Sequence, residues 1–211
     1  MNGTFVRGAA ARALAAVLVL CCAGAAQAQQ GERGTTVNLR GQITAFEKGM
    51  LTVRSVEGET FTMSVPKAAR ISSLTRVEFE TLKKGDFIAS AGLRQSDGTL
   101  KAIDVRIFPA GGRHPPEVHR KYRLGPESTM TNATVDAFVG GVSGRTFKVK
   151  YKGGEQTIVV PKDALVMRQE PGTAALLKPG ANVSVVGSKG KDGRIAVVRA
   201  AVGMDGLMPP T

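Results

Sequence analysis

The stretch SVPKAARI at residues 64–71 returns as VVPKDALV at residues 159–166, 95 positions further along the chain. Leu-Lys-Lys-Gly at 82–85 matches Leu-Lys-Pro-Gly at 177–180 with the same spacing, and Asp97-Gly98 matches Asp192-Gly193. Nearer the start of each copy the spacing is 92, since Ala45-Phe46 matches Ala137-Phe138. Three landmarks at one offset indicate an internal repeat. We therefore divide the chain into two copies, residues 36–109 and 130–203.

Alternating apolar and polar residues predict β-strands in both copies. In TFTMSV at 60–65 and in TFKVKYK at 146–152, every second residue is apolar. A period of two places the apolar side chains on one face of a strand. Asp97-Gly98 and Asp192-Gly193 are typical hairpin turns between such strands. Each copy therefore reads as three strands, a connector, and two further strands.

The connectors determine the predicted fold. They are KAARISSLTRVEFETLKKG and KDALVMRQEPGTAALLKPG, and each contains a possible short helix, EFETL or TAALL. Pro66 and Pro161 precede them, and proline belongs at a strand end because it cannot donate to the ladder. Five strands with an excursion after the third resemble an OB fold. We predict an all-β protein with two tandem OB-like β-barrels of five to six strands, a Gly/Pro-rich linker at 110–129 and a tail at 204–211.

Residues 1–28 have the composition of a secretory signal peptide. Arg7 and Arg12 precede an uncharged apolar stretch, and Ala26-Gln27-Ala28 places small residues where a signal peptidase cleaves. The apolar stretch is shorter than the ~20 residues that span a bilayer. We therefore expect export with cleavage near Ala28, and no transmembrane segment afterwards. The mature chain would contain no cysteine, which excludes disulfides, thiolate metal sites and a cysteine nucleophile.

The charge balance favours anionic partners. The chain has 29 Lys and Arg against 17 Asp and Glu, and its isoelectric point is about 10.2. Such a charge attracts anionic lipid, acidic glycans or an acidic envelope protein, although it can also serve solubility alone. The candidate contacts are a row of lysines in one strand and a basic cluster in the linker: Lys148, Lys150, Lys152, Arg120, Lys121 and Arg123. Nucleic acid is disfavoured because the chain has no Trp and two Tyr for base stacking.

The linker motif RHPPEVH offers a second kind of site. His114, Glu117 and His119 lie within one short loop, and imidazole with carboxylate suits zinc, copper or nickel. Two prolines, the neighbouring cations and the lack of an evident fourth ligand argue against it, so solvated side chains are the alternative. No G-x-S-x-G elbow is present, and most acids sit at turns, so we expect no enzyme activity and no cofactor.

Three longer stretches carry a family resemblance: GDFIASAGLRQSDGTLKAIDVRIFP, STMTNATVDAF and YKGGEQTIVVP. They resemble an uncharacterised family of exported bacterial proteins, of proteobacterial type, with a tandem domain of unknown function. The resemblance implies a periplasmic protein with tandem small β-barrels, and it supplies no catalytic motif and no ligand. The leading hypothesis is an exported, non-enzymatic binding or scaffolding protein. The alternative is a periplasmic metal-binding accessory protein that uses the linker histidines.

Overall fold

The computed structural model describes residues 35–112, 114–140 and 144–210, and in this part of the chain the protein is all-β, as predicted. The predicted signal peptide lies outside these residues. Two 3-10 helices, Phe79–Thr81 and Ala174–Leu176, lie within the predicted EFETL and TAALL segments. The strands are β1 Thr35–Glu47, β2 Met50–Ser55, β3 Thr60–Ser64, β4 Arg70–Arg76, β5 Phe87–Arg94, β6 Leu100–Ile107, β7 Val118–Lys121, β8 Ser128–Val139, β9 Thr146–Tyr151, β10 Gly154–Val159, β11 Leu165–Gly172, β12 Asn182–Lys189 and β13 Ile195–Gly203.

Hydrogen bonds close ten of these strands into two rings of five. Ring 1 contains β1, β2, β3, β12 and β13, and a parallel pair between Ser64 and Ala196 closes it. Ring 2 contains β5, β6, β8, β9 and β10, and a parallel pair between Leu100 and Ile158 closes it. Each ring surrounds its own apolar core, because every second residue of its strands points inward.

The two sequence copies exchange strands between the rings. The copy at 36–109 supplies β1–β3 to ring 1 but β5 and β6 to ring 2. The copy at 130–203 supplies β8–β10 to ring 2 but β12 and β13 to ring 1. The boundaries of the copies and those of the rings are therefore different divisions of the chain. Strand periodicity cannot reveal such an exchange, since each strand has the same pattern whichever copy it pairs with.

The connectors differ from the prediction because each contains a strand. β4 and β11 pair with each other antiparallel, and Leu74 lies opposite Gln169, the residue 95 positions later. That pairing of equivalent residues places an approximate two-fold axis between them. β4 also pairs parallel with β13, and β11 with β6. The order β6-β11-β4-β13 forms a sheet between the rings, which we call the central sheet.

Irregular features obey the same approximate symmetry. The β5–β6 ladder shifts register between Ala91 and Gly92, and the β12–β13 ladder shifts at the equivalent Val186 and Gly187. A Cβ on either glycine would lie 3.1–3.2 Å from the facing carbonyl oxygen. Both bulges therefore favour glycine for the same steric reason.

The segments at the ends of strands are ordered by packing. β3 ends at Ser64 and β10 at Val159, which confirms that Pro66 and Pro161 follow the end of the third strand of each copy. The linker is not wholly irregular, because β7 pairs antiparallel with β8. After β13 the chain turns back, and the Met204 N–H donates to the Leu74 carbonyl at 2.9 Å.

Candidate anion-binding site

The three residues proposed as metal ligands occupy different surroundings. The His114 ring stacks on Phe87, with ring centroids 3.7 Å apart. Glu117 is exposed just before β7, whereas His119 is half-buried within that strand. In the described ranges, no group of three or more His, Cys, Asp or Glu is placed to hold a metal. The structure therefore does not bring His114, Glu117 and His119 together as a ligand set.

His119 has well-defined partners of its own. Its Nδ1 lies 2.9 Å from Thr131 Oγ1, its Nε2 lies 3.3 Å from an Arg94 guanidinium nitrogen, and its ring stacks on Tyr151. Because arginine only donates, Nε2 accepts and the single proton of the neutral ring sits on Nδ1. Nδ1 therefore donates to Thr131, an arrangement that cannot deprotonate the hydroxyl. Burial, and secondarily the charge of Arg94, lower the pKa of His119.

The lysine row lies beside acidic residues. Lys148 and Lys150 are exposed on the outer face of β9. The Lys150 Nζ lies 3.0 Å from an Asp136 carboxylate oxygen, and Lys150 is paired in register with Glu155 on β10. Lys152 lies in the turn that follows β9. Lys148 and Lys150 therefore lie on one face of β9. The nearby carboxylates of Asp136 and Glu155 weaken the attraction of this face for anions.

The basic linker residues separate into two groups. Arg120 and Lys121 are exposed at the end of β7, and an Arg120 guanidinium nitrogen donates to the Lys121 carbonyl at 3.4 Å. Arg123 follows β7, and its guanidinium carbon lies 5.7 Å from the centre of the Tyr122 ring. The charge of Arg123 lowers the pKa of Arg199, which lies on β13 of the central sheet.

The outer face of β6 carries a charged pair. Val105 and Ile107 point into the ring 2 core. Since successive residues of a strand point to opposite faces, Asp104 and Arg106 lie on the face turned away from that core. Arg106 is half-buried there.

The register continues this outer face across the central sheet. Arg106 lies beside Met167, and Met167 lies beside Arg76. Arg70, an even number of residues from Arg76 on β4, shares the same face and is paired with Arg199 on β13. We call Arg70, Arg106, Arg123 and Arg199 the arginine cluster. All except Arg106 are exposed.

Arg106 interacts with the charges of Asp104, Arg199 and Tyr122. Burial lowers the pKa of the Arg106 guanidinium, and the nearby charge of Arg199 lowers it further, while Asp104 and Tyr122 oppose the change. Burial in turn raises the pKa of Asp104, against the attraction of Arg106 and a long hydrogen bond from the Ala91 N–H. Arginine remains protonated at physiological pH despite such shifts.

Arg199 is the second centre of the cluster. Its side chain is partly exposed, but the covered portion lowers its pKa, and the charges of Arg70 and Arg123 lower it further. Tyr122 acts in the opposite direction. Across residues 35–112, 114–140 and 144–210, none of the four arginines has a carboxylate oxygen within 4.0 Å. The cluster therefore presents like charges whose repulsion an external anion would relieve.

Sequence reasoning identified Arg123 but missed Arg70, Arg106 and Arg199. They lie in three strands far apart in the sequence, and only the central sheet brings them to one face. The alternation in Ile103–Ile107, with Asp104 and Arg106 between apolar residues, was the available signal of an outward charged pair.

None of the helices in the described part of the chain is long and apolar enough to cross a bilayer. Comparisons of the chain with models of protein families, with curated proteins and with solved structures found no match.

Proposed function

We propose that the chain is an exported, non-enzymatic binding protein that holds an anionic component of the cell envelope through the arginine cluster. The observation that carries this proposal is the cluster itself, in which Arg70 and Arg199 are paired in register and the charges of Arg70 and Arg123 act on Arg199, while the Asp104 carboxylate acts on Arg106. Like charges on one face repel one another, and a bound anion relieves that repulsion.

The fold part of the proposal is that each ring is an OB-like barrel. A three-strand meander followed by two more strands, closed by a parallel pair, supports this interpretation of both rings. OB folds bind oligomeric ligands on a strand face and the neighbouring loops. The exchange of strands would then make the pair of barrels one binding unit.

The location part of the proposal is the periplasm. It is supported by the basic start, the apolar stretch and the Ala26-Gln27-Ala28 sequence, together with the resemblance to exported bacterial proteins. Removal of residues 1–28 would leave 27 basic residues against 17 acidic ones, so the exported chain would keep its positive charge.

Vesicle flotation tests the proposed function. Protein purified from the periplasm of cells that express the full chain is mixed with vesicles containing phosphatidylglycerol or phosphatidylcholine alone. We expect binding to the anionic vesicles at low salt and release at ~0.5 M salt, since screening shortens the reach of surface charges. Absence of binding to phosphatidylglycerol and to lipopolysaccharide at low salt would overturn the proposal.

A further inference from the structure

We propose that the arginine cluster is a discrete site for a phosphate monoester or pyrophosphate group. The inference rests on the proposed function and narrows its ligand to a chemical class. It concerns one defined face of the central sheet rather than the basic surface as a whole.

The charge of the cluster selects the ligand class. Four guanidinium groups and Asp104 leave a local excess of three positive charges. A single carboxylate would leave most of that excess uncompensated. A phosphate monoester carries about 1.5 to 2 negative charges at neutral pH, and pyrophosphate carries more. The multiply charged ligand therefore gains most from this site.

The geometry of the side chains favours phosphate as well. Arg70 and Arg199 lie side by side on neighbouring strands, and the charge of Arg123 lowers the pKa of Arg199. Each guanidinium presents donors in a planar fork that matches phosphate oxygens. Arg70, Arg123 and Arg199 are exposed, so their guanidinium groups are accessible to a ligand.

The approximate two-fold symmetry shows that the scaffold does not require these arginines. With the offset of 95, the residues equivalent to Arg70 and Arg106 are Leu165 and Ala201, and Arg199 corresponds to Asp104. The two copies keep apolar residues at equivalent core positions, such as Ile107 and Val202. The cluster is thus an unsymmetrical addition to a symmetrical frame, which is expected of a single ligand site.

Isothermal titration with inorganic pyrophosphate at low salt tests the site. We expect one pyrophosphate per chain, with binding weakened at least 10-fold by Arg199→Gln and by Arg106→Gln. Arg106→Lys keeps the charge but removes the fork, so we expect a smaller loss of several-fold. Arg54→Gln makes the same charge change at an exposed position on β2, outside the central sheet, and should stay within two-fold of the wild type.

Folding of each variant is checked by circular dichroism. Since Arg199 is exposed, Arg199→Gln carries the test alone if Arg106→Gln unfolds. The proposed site would be contradicted if Arg199→Gln bound pyrophosphate with wild-type affinity. It would also be contradicted if the wild-type protein did not bind pyrophosphate. If the wild type still binds phosphatidylglycerol vesicles in that case, it binds anionic surfaces without a discrete phosphate site, whereas failure of vesicle binding removes the proposed function itself.

A comparison of vesicles distinguishes the two sources of such a group. Phosphatidic acid carries a phosphate monoester and phosphatidylglycerol a diester, and the two are used at equal lipid charge. A preference for phosphatidic acid that Arg199→Gln abolishes assigns the site to a lipid headgroup. If the protein binds pyrophosphate but does not prefer phosphatidic acid, the site is assigned to a soluble phosphate compound.

Discussion

His119 shows how closely one side chain can be tied to its surroundings at the residue scale. A linker histidine was expected to be a metal ligand or a solvated residue. It is instead half-buried, with Thr131 as acceptor, Arg94 as donor and Tyr151 stacked on the ring. Protonation of Nε2 would place a second donor against the Arg94 guanidinium. The neutral ring is therefore favoured in the folded protein.

The expected consequence is a loss of stability in mild acid. The pKa of His119 lies below its ordinary 6.5 in the folded state, so the unfolded chain binds the proton at higher pH. The contribution of the neutral ring to the free energy of unfolding is present above pH 6.5 and is lost as the pH falls below it. Denaturant unfolding of the wild type and of His119→Gln between pH 7.5 and pH 5.5, at roughly half-unit steps, measures this difference.

We expect the stability difference between wild type and His119→Gln to shrink as the pH falls. His114→Gln is the matched control, because it removes the other histidine and keeps His119. Parallel curves for wild type and His119→Gln would show that the fold does not control this proton.

At the scale of elements, β4 and β11 hold the two rings together. Leu74 of β4 and Met167 of β11 are fully buried, although neither belongs to the core of a ring. β4 has partners on both sides, β11 and β13, so its backbone groups are paired along its length. The connectors therefore contribute stability of their own.

Shortening Leu74 tests that contribution. Leu74→Ala should lower the free energy of unfolding by about 2–5 kcal/mol, the range for a buried leucine that leaves a cavity. Leu124→Ala removes the same atoms from a side chain that is 46% exposed, and it should change the free energy of unfolding by less than about 0.5 kcal/mol. Urea unfolding measures both, and equal effects would mean that β4 is not packed at the two-fold axis.

Sequence patterns predicted the elements that depend on local signals. Alternation and Asp-Gly turns located the ring strands, and Pro66 and Pro161 marked where the third strands end. β4 was missed because RISSLTR has no regular alternation and is mostly half-buried. Its structure depends on strands that arrive from other parts of the chain, and intrinsic preference carries little information in such cases.

At the scale of the whole molecule, the exchange of strands links the two copies without any need for the linker. Residues up to 112 supply five strands to the rings, β1–β3 to ring 1 and β5 and β6 to ring 2. Residues after 112 supply the other five. Neither half of the chain can close a ring alone. The same exchange explains why the site could be predicted only in part, because Arg70 and Arg199 meet through pairing of β4 with β13, which no local pattern predicts.

Cutting the linker should therefore leave the protein assembled. A protease site is inserted between Gly111 and Gly112, and the cleaved protein is examined by size-exclusion chromatography. We expect both fragments to elute together with an unchanged circular dichroism spectrum. In ~6 M guanidinium chloride they should separate, which confirms complete cleavage. Elution as two separate folded fragments under native conditions would contradict the exchanged topology.

The exchange also sets an order on the synthesis of the protein. A chain emerges from the ribosome with its N-terminus first. Ring 2 has all its strands once Val159 has emerged, whereas ring 1 waits for β13, which ends at Gly203. Until then β1–β3 leave unpaired edges and an open apolar face, which favour aggregation. A premature stop before β13 would thus disable the ring whose first strands were made earliest.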